Sequence, residues 1–349
     1  MRALLVLTLA GCVVASGAAF GATSSTRSES QAATTIAKAK SAQRVKGTIP
    51  AGSARIQSQR KAGIERAPLR PSEGQLAGLT HSGDPLQLKS HVALVVDQDT
   101  DEVLFEKNVH AVLPIASITK LMTALVTVEA GLPLDEELKV TQDELVKAGI
   151  RSNLRPGLKM DRGTALHLAL MSSENRAAQL LGRTYPGGLD NFVEAMNAKA
   201  RMLGMSDSHF VDPTGLSPDN RSSANDLVRL VKAAYEHDVI REFSTSGELA
   251  LPMGKRSVRY GNTNRLTAHP DWDIGLQKTG YISAAGRCLV MQAVIEGKRV
   301  VMVLLDSVGK YSRIADAQRI RDWLETSGAL NRVPAPSAGS STGDAARPI

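Results

Sequence analysis

Two blocks of apolar, β-branched-rich runs enclose a long stretch of helical spacing, and this arrangement restricts the fold of the chain more than any other feature. His91–Asp97 and Glu102–Glu106 flank Gln98-Asp99-Thr100-Asp101 and read as a hairpin. From residue 117 to 236 the apolar positions recur mostly at helical intervals, as in Leu166 and Leu170, or Leu227, Leu230, Val231 and Ala234. Strand patterns return at Ile274–Tyr281, Arg287–Ile295 and Arg299–Leu305, the last two joined by a turn at Glu296-Gly297-Lys298. Ile314, Ala317, Ile320 and Leu324 then line one stripe of a closing helix. Strands at both ends of a helical middle predict one antiparallel sheet, an α+β fold with helices flanking the sheet and an inserted helical lobe, over residues 88–330. Aromatic residues are only 3% of the chain, so its core is expected to consist mainly of Leu, Val, Ile, Met and Ala.

The segments outside that domain have a different composition. Residues 1–22 carry Met1-Arg2, an apolar run and small residues through Ala22, which read as a signal peptide removed on export. An uncleaved anchor over Ala3–Ala22 is the alternative, because about 20 apolar residues span a bilayer. Leu9-Ala10-Gly11-Cys12 also matches a lipoprotein cleavage box, but the apolar run continues past Cys12, which ranks lipidation below plain cleavage. With the leader gone, Cys288 is the one cysteine left and no intrachain disulfide can form.

Residues 23–87 are rich in Ser, Ala, Thr, Gln, Lys and Arg without sustained apolar periodicity and read as a basic disordered linker. The formal charge of +7 resides there: residues 23–70 hold ten Lys and Arg against two acids, whereas 71–349 is slightly acidic. The charge therefore describes a tail and gives no reason to expect nucleic acid as a partner. In an exported protein it suits peripheral contact with membrane or wall anions, or a solvated spacer. Residues 331–349, rich in Pro, Ala, Ser and Gly, read as a flexible tail.

Three motifs carry chemistry. Ser117-Ile118-Thr119-Lys120 opens an apolar helix, and i, i+3 spacing puts the serine hydroxyl and the lysine amine on one face, one turn apart. A serine needs a base to become a nucleophile, and a lysine serves only when its amine is neutral, a state that burial promotes. Alone this pair is weak, since Ser307-Val308-Gly309-Lys310 repeats the spacing and a serine at a helix start is usually a cap. Order and context strengthen it. Ser173-Glu174-Asn175 interrupts a helical segment, and Lys278-Thr279-Gly280 lies on the first strand of the C-terminal block, where Gly280 permits close backbone approach of a ligand. Ser223-Ala224-Asn225 and Tyr260-Gly261-Asn262 fit the second pattern loosely, but Ser222 and Ser223 precede a helix with Asp226 in its first turn, which capping explains. Elements of these three kinds in this order form the active-site set of penicillin-binding proteins and class A β-lactamases.

Residues 88–328 resemble the low-molecular-mass penicillin-binding proteins. The stretches Leu168–Ala178, Tyr185–Gly188, Asn197–Ala200, Asp212–Ser217 and Gln277–Tyr281 are similar to the D-alanyl-D-alanine endopeptidases of the penicillin-binding protein 7 type. The resemblance implies a β-lactamase/transpeptidase-like fold, cleavage of D-alanyl bonds in peptidoglycan through an acyl-serine intermediate, β-lactam antibiotics as covalent inhibitors, and no cofactor. It also implies Ser117 as nucleophile and Lys120 as proton acceptor, with Ser173 and Asn175 relaying protons and orienting the peptide. Lys278 and Thr279 hold the substrate carboxylate, and the backbone N–H groups of Ser117 and Tyr281 form the oxyanion hole. Membrane-attached carboxypeptidases of this group carry a further C-terminal domain, whereas this sequence stops soon after its last helix, which favours the endopeptidase branch.

Other readings have less support. Class A β-lactamases deacylate with a Glu between the second and third motifs, and residues 176–277 contain no Glu-x-x-Leu-Asn-like element. A non-catalytic wall-binding scaffold has no need of Ser117 and Lys120. The seven histidines form neither a His-x-x-x-His nor a His-Glu-x-x-His pair, which gives no reason to expect a metal site. His167 reads as a core or surface residue and Cys288 as a buried small apolar side chain.

Overall fold

The computed structural model describes residues 70–145 and 152–331. The leader at 1–22, most of the basic segment and the tail from 332 lie outside the described residues. After a short helix α1 (Glu73–Leu76) come strands β1 (Ser90–Asp97), β2 (Val103–Lys107) and β3 (Leu113–Pro114), then helix α2 (Thr119–Glu129). Two short strands, β4 (Glu137–Lys139) and β5 (Lys159–Asp161), lead into helices α3 (Arg162–Met171), α4 (Asn175–Arg183) and α5 (Gly188–Met202). Strand β6 (Arg221–Ser222) precedes α6 (Ala224–Tyr235) and α7 (Asp238–Thr245), followed by a hairpin of β7 (Glu248–Met253) and β8 (Arg256–Gly261). The chain closes with β9 (Asp273–Ile282), β10 (Gly286–Ile295), β11 (Lys298–Ser307) and α8 (Ser312–Ser327).

The sheet has the order β2-β1-β11-β10-β9 and is antiparallel throughout. The N-terminal hairpin and the C-terminal strands form one sheet, as the sequence predicts, with Val92 opposite Leu305 and Leu94 opposite Val303. Helices cover both of its faces. Val92, Leu94, Val96, Val301, Val303 and Leu305 pack toward α2, α6 and the helical lobe. Ala93, Val95, Met302 and Leu304 pack toward Ala317, Ile320 and Leu324 of α8. Burial on both faces explains why β1 and β11 read as continuous apolar runs instead of alternating ones. Between β10 and β11, Glu296 and Gly297 have φ of 50° and 75°, the geometry of a two-residue type I′ turn.

The edge of the domain corrects the sequence reading. Residues 70–87 were expected in the linker, yet they dock on the domain. Ser72 caps α1 in a capping box with Gln75, and its hydroxyl donates to Asp306 at 2.8 Å. Arg221 pairs with Glu73 at 2.6 Å and Lys107 with Asp84 at 2.7 Å. Leu79 and Leu86 pack against the two cores as well, at an irregular spacing that no helix or strand period announces. The β7–β8 hairpin was not foreseen either, because Leu251 alone is buried in β7 and Tyr260 alone in β8.

Leu304 lies in the layer beneath α8, and Leu304→Ala is expected to cost about 2–5 kcal/mol in urea unfolding through lost transfer energy and the cavity left behind. Leu76, 71% exposed, is the control. Leu76→Ala is expected to stay within about 0.5 kcal/mol of the parent. Equal effects of the two changes would contradict the assigned layers.

Candidate active site

Ser117 occupies a single 3₁₀ turn, Ala116–Ile118, between β3 and α2, and Lys120 is the second residue of α2. The predicted spacing is realised: the Lys120 amine donates to Ser117 Oγ at 2.8 Å. The same amine reaches Asn175 Oδ1 at 2.7 Å and the Thr214 carbonyl at 2.6 Å. Burial pulls its pKa down from 10.5 to about 7, against the opposing charges of Asp212 and Glu174. Near neutral pH a large fraction of Lys120 is therefore uncharged, within hydrogen-bond distance of a serine hydroxyl.

The Thr214 carbonyl is a site atom that motif reading missed. It belongs to the loop Asp212-Pro213-Thr214-Gly215, which Asp212 folds around its own carboxylate. That carboxylate accepts from the backbone N–H groups of Thr214 (2.6 Å), Gly215 (2.8 Å) and Ser217 (3.0 Å), and from the side chain of Asn220 (2.7 Å). Burial alone would raise the Asp212 pKa, but hydrogen bonds from Thr214, Ser217 and Gly215 hold it below the usual carboxylate range. Gly215 has φ of 78°, and a Cβ there would collide with the Ala116 carbonyl, so the loop and the serine turn close on each other only with glycine at this position. The signal available in the sequence was an Asp two residues before a Thr-Gly pair, a pattern of a side chain that bonds its own downstream backbone.

The second motif lies at the corner between α3 and α4. Glu174 caps α4 by accepting from Arg176 N–H, and Asn175 follows with its carbonyl oxygen on Lys120. Ser173 turns the corner with φ of 60°, an uncommon conformation for a residue with a Cβ. It is half-buried, and among the described residues its hydroxyl has no hydrogen-bond partner. The structure thus bonds Asn175 to Lys120, whereas Ser173, two residues earlier, bonds neither Ser117 nor Lys120 among the described residues.

The third motif comes from β9, the edge strand of the sheet. Lys278 is buried and donates to the Thr279 carbonyl at 2.9 Å. Burial first, then the positive Lys120 and Arg313, push its pKa well below the ordinary lysine value. Thr279 Oγ1 donates to Thr263 Oγ1 at 2.7 Å. At Gly280 a Cβ would lie 3.0 Å from both the Ile115 carbonyl and the Ser117 backbone nitrogen. The close neighbour is the serine turn itself. Tyr281 follows, 48% exposed. Arg313 at the start of α8, also unforeseen, is buried; among the described residues its Nε and Nη1 have no partner, and it adds positive charge near Lys278.

The competing matches fall elsewhere. Ser307 Oγ donates to Ser312 and not to Lys310, and Ser223 caps α6 through Asp226 N–H. Asn262 binds the Ser244 and Ser246 carbonyls. His167 stacks on Phe243, 4.5 Å between ring centres. Cys288 is buried, and burial drives its thiol up to about 12, far from a reactive thiolate.

Comparison with known proteins bears on this constellation. Residues 79–309 match the peptidase S11 family, described as D-alanyl-D-alanine carboxypeptidase. The chain is 47% identical over 259 residues to the D-alanyl-D-alanine endopeptidase of Pseudomonas aeruginosa, covering 73% of this chain and 83% of that one. It is 45% identical over 262 residues to the D-alanyl-D-alanine endopeptidase of Escherichia coli, covering 74% and 84%. Penicillin-binding protein D2 of Listeria monocytogenes, solved with ampicillin bound, superposes with a TM-score of 0.61 at 28% identity over 68% of this chain and 98% of that one. The expected β-lactamase/transpeptidase-like α+β architecture is thereby borne out. With a family match that spans the sheet, the helical lobe and all three motifs, the chain belongs to the D-alanyl-D-alanine carboxypeptidase family, peptidase S11.

Proposed function

We propose that this protein is a serine DD-peptidase that hydrolyses D-alanyl bonds in peptidoglycan, chiefly as an endopeptidase on D-Ala–diaminopimelate cross-links. The observation that carries the reading is the buried Lys120 amine, brought to about 7 and bonded to Ser117 Oγ. As Ser117 Oγ attacks the D-alanyl carbonyl carbon, neutral Lys120 takes its proton. The oxyanion is held by the backbone N–H groups of Ser117 and Tyr281. Collapse breaks the amide, and the leaving amine takes a proton relayed from Lys120 by Ser173. Water then hydrolyses the acyl-serine.

Asn175, whose carbonyl oxygen is turned to Lys120, presents its NH₂ to the peptide. Lys278 spends one of its three donors on the Thr279 carbonyl, and the carboxylate next to the scissile bond supplies the countercharge that its buried amine lacks. A terminal D-Ala-D-Ala and a D-Ala–diaminopimelate cross-link both present such a carboxylate. The similarity to two endopeptidases favours the cross-link, and carboxypeptidase activity is the alternative. A leader at 1–22 directs export to the periplasm, and a basic segment from 23 to about 69 contacts membrane or wall anions. β-Lactams acylate Ser117 as covalent inhibitors.

Digestion of purified cross-linked murein tests the activity: dimers are expected to fall to monomers, while loss of terminal D-Ala alone would establish the carboxypeptidase alternative. Mass spectrometry after incubation with a penicillin is expected to show a long-lived adduct on the Ser117 peptide. Ser117→Ala and Lys120→Ala are each expected to lose it, the second because an unactivated serine is inert at neutral pH. Acylation of Lys120→Ala at the parent rate would assign the base elsewhere.

The pH profile follows from the sign of the Lys120 shift. Below about 7 the amine is protonated and cannot accept a proton; above it the neutral form prevails. The acylation rate is expected to rise about tenfold per pH unit on the acid side and level off above neutrality. A profile flat from pH 5 to 8 would remove Lys120 from the role of base.

A further inference from the structure

Past Gly280 the strand β9 runs into a surface from which the reaction at Ser117 uses only the backbone N–H of Tyr281. Tyr281, Val308 and Tyr311 there are 48%, 47% and 51% exposed. Cations stack on the two rings. The Arg287 guanidinium lies 4.4 Å from the Tyr281 ring centre, and Lys310 Nζ and the Arg265 guanidinium lie 5.2 Å and 5.5 Å from that of Tyr311.

Arg287 faces Tyr281 across the β9–β10 ladder, so the first of these pairs grows directly out of the strand that bears Lys278 and Gly280. Among the described residues, Arg265, Arg287 and Lys310 make no ion pair with a carboxylate. A hydrogen bond from Lys310 and the charges of Lys310, Arg265 and Arg287 draw the Tyr311 phenol below its usual range, which shows how closely the positive groups gather.

Tyr281, Arg287, Val308 and Lys310, with Arg70, line a cavity of about 500 Å³. The one carboxylate at its wall, Asp306, is buried; its Oδ2 accepts from Ser72 at 2.8 Å and bonds His91 at 2.8 Å, and among the described residues its Oδ1 has no partner. The cavity therefore sets Arg70, Arg287 and Lys310 against one buried carboxylate, a net positive lining, with the half-exposed Tyr281 ring at its wall, beside Gly280.

We propose that this cavity is a second subsite, one that binds the carboxylate-bearing stem peptide of peptidoglycan outside the reactive D-alanyl unit, through Arg287 and Lys310 with Tyr281 as the stacking surface. The subsite rests on the peptidase reading of Ser117. It adds selectivity: an acidic stem peptide is held by two groups of contacts, at Lys278 next to the scissile bond and at the Arg287–Lys310 pair beyond it.

The test is the double variant Arg287→Gln, Lys310→Gln, assayed on a soluble D-alanyl peptide with free stem carboxylates and on the same peptide with those carboxylates amidated, the one beside the scissile bond left free in both. The rate of acylation by a penicillin reports on the reaction centre and on folding. The variant is expected to lose about ten- to a hundredfold in kcat/KM on the acidic peptide, mainly through KM, as removal of charge-assisted hydrogen bonds implies. It is expected to match the parent on the amidated peptide and to acylate within about twofold of the parent rate. Equal losses on both peptides, or no loss on either, would overturn the subsite while leaving the peptidase reading intact. Failure of the parent protein to cleave either peptide would instead overturn the peptidase reading, and the subsite with it.

Discussion

The site depends on keeping one amine out of water. Removing an ammonium from solvent is costly unless its donors are satisfied, and the usual relief is loss of the proton. Lys120 takes both courses. Its amine has three acceptors, Ser117 Oγ, Asn175 Oδ1 and the Thr214 carbonyl, which come from three separate parts of the chain. Each acceptor has its own support: the 3₁₀ turn under Ser117, the Glu174 cap before Asn175, and the Asp212 carboxylate that shapes the loop bearing Thr214. The two carboxylates that support these acceptors, Asp212 and Glu174, also oppose the effect of burial, and the balance leaves the amine near neutrality. Structural support and proton affinity are thus adjusted by the same groups.

The sheet supplies the opposite wall. β9 ends the strand order, so one of its edges is free of a neighbouring strand, and at Gly280 its face lies against the serine turn. Gly280 sets the separation, since any side chain there would push Ser117 away from the strand that carries Lys278 and Tyr281. The two buried lysines approach from different walls, and the charge of Lys120 adds to burial in lowering the pKa of Lys278.

Features that depend on side-chain identity at fixed spacing were the readable ones. Ser117 with Lys120, Asn175, and Lys278 through Tyr281 could be picked out because helix and strand periods put those groups where chemistry needs them, and the decoys at Ser223 and Ser307 could be explained as caps or bonded neighbours. The strand blocks and the α8 stripe were readable because their burial is periodic or continuous. Features that depend on backbone atoms or on a distant partner were not. The Thr214 carbonyl has no residue-type signature, Arg313 reads as one more polar residue of an amphipathic helix, and Ser72, Asp84 and Glu73 hold residues 70–87 down through partners far along the chain. Ser173 is the intermediate case: its position was legible, but the strained corner that carries it was not.

The pairing of β1 with β11 has a consequence for how the molecule comes into being. Val92 can find Leu305 only after nearly the whole domain has been made, and contacts so far apart in sequence form slowly because a large loop must close first. Until then β1, apolar on both faces, has an open edge of the kind that pairs with other chains. The nucleophile turn emerges early, but β9 is among the last pieces of the domain to be made, so the two walls of the site meet only at the final stage of folding. Competence for hydrolysis therefore arrives together with the finished sheet, and a chain caught short of β11 has neither a protected core nor a working site.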